Sequence, residues 1–201
     1  MFALVESGSI TKYFSGNRGI IIGDNQYPKA IFTLWSKAER EAIGIYEVEM
    51  DTSKRKDETW YINTDVTYAF GGGKVTGSYG DSTAKAHADT LWTAQDETDG
   101  KGTEGEVATR GLKYNLIQTV KRQAAGILQD TDWYVVRKAD AGTAVPSAIT
   151  THRAAVRTKA AEQETAITNA ADTPALETLY TYTTTDGVQS RPLGELPRLE
   201  S

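Results

Sequence analysis

Leu128-Gln129-Asp130-Thr131-Asp132-Trp133 is the stretch on which the reading of this chain turns. Before it, apolar residues recur at Leu112, Leu116, Val120, Ala124, Ile127 and Leu128. After it, they recur at Ile149, Val156, Ala160 and Ile167. Steps of three and four place each set on one face of a helix. Between the two sets, Trp133-Tyr134-Val135-Val136 is aromatic and β-branched, and Arg137 to Val145 reads as a polar loop ending at Pro146. The pattern predicts two long helices packed antiparallel and joined by a structured elbow. Trp133 is the expected wedge in the gap between them, since tryptophan is highly buried on average, with Val135, Val136 and Ile149 lining its pocket. Asp132 is expected to accept from turn amides or to pair with Arg153 or Arg157 on the returning helix.

Working outward, Thr103 with Glu106 has the capping-box form and is expected to open the first long helix, which runs to about Gln129. Pro146 suits a first helical turn, so the second long helix starts near it. Asp172-Thr173-Pro174 stops that helix and caps a shorter one to about Tyr180. Tyr180 to Thr185 is strand-prone, Asp186-Gly187 is a turn, and Arg191 to Ser201 is an extended tail.

Toward the N-terminus, Phe2 to Val5 and Ile10 to Phe14 flank Glu6-Ser7-Gly8-Ser9, the pattern of a β-hairpin. Ser15 to Tyr27 is loop-like around an apolar island at Ile20-Ile21-Ile22. Ser36 with Glu39 is a second capping-box form, and Gly44 sits where a helix C′ residue belongs, so Lys37 to Ile43 is a short helix. Strand-like runs follow at Ile45 to Met50, Trp60 to Ile62, Val66 to Phe70 and Lys74 to Tyr79. The alanines from Asp81 to Thr93 suggest a helical connector, and Asp96 to Gly105 a polar linker. The expected fold class is α+β: a β-rich module with one short helix over residues 1–80, a connector over 81–104, a helical hairpin over 105–185 and an extended tail over 186–201.

Composition narrows the function. Of 201 residues 39% are hydrophobic and 18 are glycine, which favours small modules over one large core. The formal net charge of −5 argues against a nucleic-acid partner, which calls for a basic face. The chain has no cysteine, which excludes disulfides and thiolate metal sites. No apolar run reaches the roughly 20 residues that a membrane-spanning helix needs. Met1 to Glu6 carries an acid and no basic region, so no secretory signal is expected and synthesis is placed in the cytoplasm.

Candidate chemistry is thin. Gly71-Gly72-Gly73-Lys74 has glycines and a lysine, but Val75 follows where a phosphate loop needs serine or threonine, so a hairpin turn is expected. His87 and His152 lie in separate segments without carboxylates at metal-ligand spacing, so both read as surface or helix-face residues. No Gly-x-Ser-x-Gly elbow supports a serine triad. Asp130 and Asp132 read as helix-terminating residues. Lys121, Arg122, Arg137, Lys138, Arg153, Arg157 and Lys159 are offset by neighbouring acids and read as a solvated face. No catalytic, cofactor or metal site is expected. The aromatics of the N-terminal module exceed what so small a body can hide, so a few are expected at an interface, with self-association as one outcome.

The stretch from Leu112 to about Arg157 resembles the phage tail assembly chaperone domain of tail-fibre assembly and related small tail proteins. That pattern has a helix with basic residues ending in leucine, then Thr/Ser-Asp-Trp, a loop, and a helix with Tyr-Arg-x-x-Leu-Arg. The matching residues are Arg122, Leu128, Thr131, Asp132, Trp133, Arg153, Val156 and Arg157. His152 and Val156 depart from the usual aromatic and leucine, and the usual Asp-Ile-Pro stop is missing. The opening Met-Phe-Ala-Leu-Val-Glu-Ser-Gly is similar to those of such proteins. The resemblance implies a non-enzymatic, tail-associated virion protein that binds a tail fibre or baseplate component. Asp132, Trp133, Arg153, Val156 and Arg157 would define the hairpin or meet the partner. A transient cytoplasmic tail-fibre chaperone is the alternative, and a tail-associated hydrolase is a third reading. Neither nucleic acid nor membrane insertion is implied.

Overall fold

The computed structural model describes residues 1–199; Glu200 and Ser201, the end of the expected tail, lie outside the described residues. The fold class is α+β, a β-rich region followed by helices. The chain divides into two compact units, residues 1–83 and 84–201.

In the first unit, β1 (Phe2–Glu6) and β2 (Ser9–Phe14) form the expected hairpin. Ser7 and Gly8 both have positive φ, 51° and 80°, the tight-turn geometry whose twist matches that of paired strands. The apolar island is not loop: β3 (Ile20–Ile22) pairs with β4 (Asn25–Tyr27) in a second hairpin. A 3-10 turn at Lys29–Phe32 follows Pro28. Helix α1 (Lys37–Ala42) carries the reciprocal capping box, with Ser36 Oγ accepting from Glu39 N–H and Glu39 Oε2 accepting from Ser36 N–H at 2.7 Å. Gly44, at φ 80°, ends it and leads into β5 (Ile45–Asp51). Short β6 (Tyr61–Ile62) precedes β7 (Thr67–Gly71) and β8 (Lys74–Ser78), which form a hairpin across Gly72-Gly73, as expected in place of a phosphate loop. Two-residue β9 (Thr83–Ala84) closes the series.

Five of these strands make one sheet in the order β2-β1-β5-β8-β7, antiparallel except for the parallel pair β5–β8. One face packs Phe2, Leu4, Ile20, Ile31, Phe32 and Ile45 into a core, with Phe14, Tyr27 and Trp35 against it. Each such side chain, fully buried, contributes about 1.5–3 kcal/mol. The register puts Ala3 between Tyr13 and Tyr46, Val75 beside Val48 and Phe70, and Gly77 beside Met50 and Tyr68 on the other face. There Tyr46 meets Phe70 at 4.9 Å, and the rings of Tyr13 and Tyr68, on the two edge strands, are 5.1 Å apart. The sheet therefore curls so that its edges approach. Small Ala3 and Gly77 make room for the rings: a Cβ on Gly77 would stand 2.8 Å from Tyr68. A sheet with an aromatic layer on each face holds more rings than one core would.

In the second unit, the segment expected as a helical connector is not helical. It runs as irregular chain to β10 (Thr90–Leu91), which pairs with β11 (Val107–Thr109) around the short helix α2 (Ala94–Thr98). Thr93 and Asp96 supply the α2 capping box. The Thr103–Glu106 signal makes only a turn, and the first long helix, α3 (Leu112–Gln129), begins six residues after Glu106. Its free N–H groups find partners far away in sequence. Asp89 Oδ1 accepts from Gly111 N–H at 2.8 Å, and the carbonyls of Ala86 and His87 accept from Leu112 and Lys113. The Gly111 N–H bond, helped by Arg110, holds the Asp89 carboxyl below its ordinary range.

Helix α4 (Asp132–Ala141) follows α3 almost at once, and α5 (Ser147–Asn169) returns antiparallel to α3. Lys113 Nζ donates to Thr168 O at 2.9 Å near one end of the pair, and Arg153 reaches Leu128 O at the other. The expected stripe of Ile149, Val156, Ala160 and Ile167 is buried. As expected, Asp172 caps α6 (Thr173–Tyr180) by accepting from Ala175 N–H at 2.8 Å, and β12 (Thr183–Thr185) ends in a turn at Asp186-Gly187; the start of the expected extended tail instead pairs back as β13 (Val188–Ser190). The extended segment after β13 is docked: Leu193 is buried, and Gly194 O accepts from buried Gln163 Nε2 at 2.9 Å. No helix among the described residues is long and apolar enough to cross a membrane.

Candidate interaction site at the helical elbow

The elbow is built on a buried cation, one that the sequence places on a solvated face. Arg153, on the inner face of α5, aims its guanidinium at the gap between the end of α3 and the start of α4. Its Nη1 donates to Leu128 O and to Thr131 Oγ1, each at 2.7 Å, and its Nη2 stands 2.8 Å from Asp132 Oδ1. Thr131, itself buried, donates through Oγ1 to the same Leu128 carbonyl at 3.0 Å. A helix C-terminus leaves carbonyls without partners and carries partial negative charge, so a guanidinium there is well placed. Asp132 occupies the first turn of α4, where a carboxylate is favoured, and offsets the charge that Arg153 brings into the interior.

The expected Asp132–Arg153 pair is thus present, whereas Arg157, one turn along α5, is exposed and takes no part in it. Val156 is fully buried and belongs to the α3–α5 core. His152, expected at the surface or on a helix face, lies beside Arg153 and is buried too.

Trp133 is not the wedge. It is 52% exposed, as are Val135 at 44% and Val136 at 64%, while Ile149 lies in the core without them. The reversal happens later, at Gly142 (φ 70°) and the segment to Pro146, because Trp133 to Ala141 continue as helix rather than as strand and polar loop. Arg137-Lys138-Ala139-Asp140-Ala141 is helix-favouring sequence, Asp132 and Lys138 sit at the proper ends of the dipole, and Gly142 supplies the left-handed stop. The space expected for an indole is filled by the Arg153 guanidinium.

The indole faces outward instead. Its ring lies 4.1 Å from that of Tyr134, and the Arg137 guanidinium covers both, 4.5 Å from the Trp133 centroid and 5.4 Å from that of Tyr134. Cation–π stacking orders this surface. The polar neighbours of Arg137 predict a loop there; its spacing four residues after Trp133 is the signal that places it on the same helix face. The result is a helix of ten residues with no buried side chain, held by its first turn and presenting tryptophan, tyrosine, valine and arginine. Tryptophan, tyrosine and arginine are the types enriched among the residues that carry binding energy in protein interfaces.

Among the described residues no three histidine or carboxylate side chains stand together as metal ligands. Comparison with family models, with curated proteins and with solved structures finds no match to the chain.

Proposed function

We propose that this is a non-enzymatic bacteriophage tail-associated protein that binds a tail fibre or baseplate component, supports its assembly and remains in the virion. The observation that supports the reading best is the meeting of Leu128, Thr131, Asp132 and Arg153 in one network. These residues carry the resemblance to tail assembly chaperone domains, and the pairs they form span more than twenty positions of sequence. That the separated parts of the motif meet in one place supports the reading. On this reading Arg153 fixes α4, and Trp133, Tyr134 and Arg137 form the surface that meets the tail protein.

The test is a pull-down of tail-fibre and baseplate proteins by the full chain, followed by mass spectrometry of purified particles. Capture that is lost in Trp133→Ala, with the chain present in particles, is expected. Capture without the chain in particles replaces residence by a transient chaperone role. Absence of capture, or clearing of a cell-wall suspension by the purified chain, overturns the proposal.

A further inference from the structure

A cleft of about 680 Å³ opens in the second unit between α3 and the segment from Tyr182 to Arg198. Its volume lies within the range of small-ligand and peptide pockets. Three arginines line it, Arg122, Arg191 and Arg198, in a chain whose net charge is −5. Arg191 is committed to the fold. It stacks on Tyr180 and Tyr182, with Nη2 donating to Glu195 Oε2 at 2.9 Å, and Glu195 also accepts from the Tyr182 hydroxyl. Glu195 is therefore already engaged by Arg191 and Tyr182. Arg122 donates only to neutral oxygens of its own helix, Gln118 O and Thr119 Oγ1, and neither it nor Arg198 has a carboxylate partner among the described residues.

The floor is apolar, from Ile127 and Leu196, and between it and Arg122 lies Gly126. Glycine is among the least favourable residues inside a helix. It is usually explained by a neighbour that a side chain would strike, but a Cβ at Gly126 would meet nothing within 4 Å, and its φ is not in the left-handed region. Nothing inside the described chain needs a glycine there. The glycine leaves the α3 backbone open to close approach from the cleft.

We infer that this cleft binds an acidic peptide segment of a partner protein, with a carboxylate held between Arg122 and Arg198 and a neighbouring apolar side chain seated against Gly126, Ile127 and Leu196. Two planar guanidiniums suit a carboxylate. The apolar lining from Ile127 and Leu196 has no use for a bare phosphate. The inference rests on the chain's being a partner-binding protein, but not on the partner's being a tail component.

The probe is a fluorescein-labelled peptide of alternating glutamate and leucine, followed by anisotropy against the full chain. Saturable binding is expected, weakened about tenfold or more in Arg122→Gln/Arg198→Gln, because charge-paired contacts carry it. Gly126→Leu is expected to abolish binding while the second unit melts at the same or a higher temperature, since the new side chain enters open space and improves the helix. A lysine–leucine peptide is expected not to bind, and inorganic phosphate not to displace the probe. No saturable binding, equal binding by Gly126→Leu, or displacement by phosphate overturns the inference. Any of these leaves the tail reading to its own test, since pull-down and particle composition do not depend on this cleft.

Discussion

The Arg153 guanidinium and the Asp132 carboxylate, 2.8 Å apart, join the middle helix of the second unit to the returning one. The two partners are unequal. The Arg153 side chain is 9% exposed and the Asp132 side chain 55%. Arginine also holds the end of α3 through Leu128 O and Thr131, whereas aspartate answers to arginine alone among the described residues.

Arg153→Ala therefore costs far more than Asp132→Ala. Removing Arg153 strips the Leu128 carbonyl and the buried Thr131 hydroxyl of their strongest donor, a loss of about 2–4 kcal/mol. Removing the exposed partner costs about 1 kcal/mol or less. Urea unfolding of the full chain, followed by a probe in the second unit, is expected to show this order; equal midpoints for the two variants would refute it.

Trp133→Ala is expected to leave the stability of the second unit within about 0.5 kcal/mol of the parent, as for surface substitutions generally. In the same variant, or in Trp133→Phe, the tryptophan emission most accessible to acrylamide should vanish, because Trp60 is buried and Trp35 and Trp92 are partly covered. A melting temperature lowered by many degrees would restore the wedge.

Asp96 supplies a pH dependence. Thr93 Oγ1 donates to it at 2.7 Å, Thr93 N–H at 3.1 Å, and Lys101 Nζ lies 3.1 Å away, so its carboxyl is held down to about 2 in the folded chain against an ordinary 3.8. A depressed carboxyl contributes stability that is complete above the unfolded value and is lost as pH falls toward the folded one. The α2 cap should thus be intact at neutral pH and weaken between about pH 4 and pH 2. Carboxyl-carbon NMR of Asp96 is expected to titrate near the lower limit, and in Thr93→Val to move up toward the ordinary value. An unmoved titration would show that Thr93 is not the cause.

Gly44 makes the exit from α1 possible. At φ 80°, with Val5 O only 2.8 Å from where a Cβ would stand, any side chain meets both backbone strain and a carbonyl. Gly44→Ala is expected to destabilise the first unit by about 1–3 kcal/mol. Thermal melting that shows no loss would mean that the loop relaxes freely.

Elements set by residues a few positions apart were legible in the sequence. The Ser7-Gly8 and Asp186-Gly187 turns, the Ser36–Glu39 box, the Asp172 cap and the buried stripe of α5 each rest on chemistry within one turn of chain, so their residues suffice to predict them. The Asp132–Arg153 pair was only partly legible: the sequence offered Arg153 and Arg157 alike as partners and read both as solvated, and packing alone decided that Arg153 is the buried one.

What the tertiary structure decided depends on partners far along the chain. The true start of α3 is set by Asp89, Ala86 and His87 rather than by the capping-box letters at Thr103 and Glu106, because a helix N-terminus accepts any carbonyl or carboxylate that folding brings to it. The parallel β5–β8 pairing joins residues such as Val48 and Val75 that lie far apart in the chain, and the curl of the sheet needs the room that Ala3 and Gly77 leave for rings. Whether Trp133 faced in or out turned on which group filled the elbow. Tryptophan's burial tendency pointed inward, but a guanidinium with two helix-end acceptors and a carboxylate took the place, and the continuing helix carried the indole to the surface. Local sequence sets periodicity and caps; the choice between two groups for one space is made only when distant segments pack.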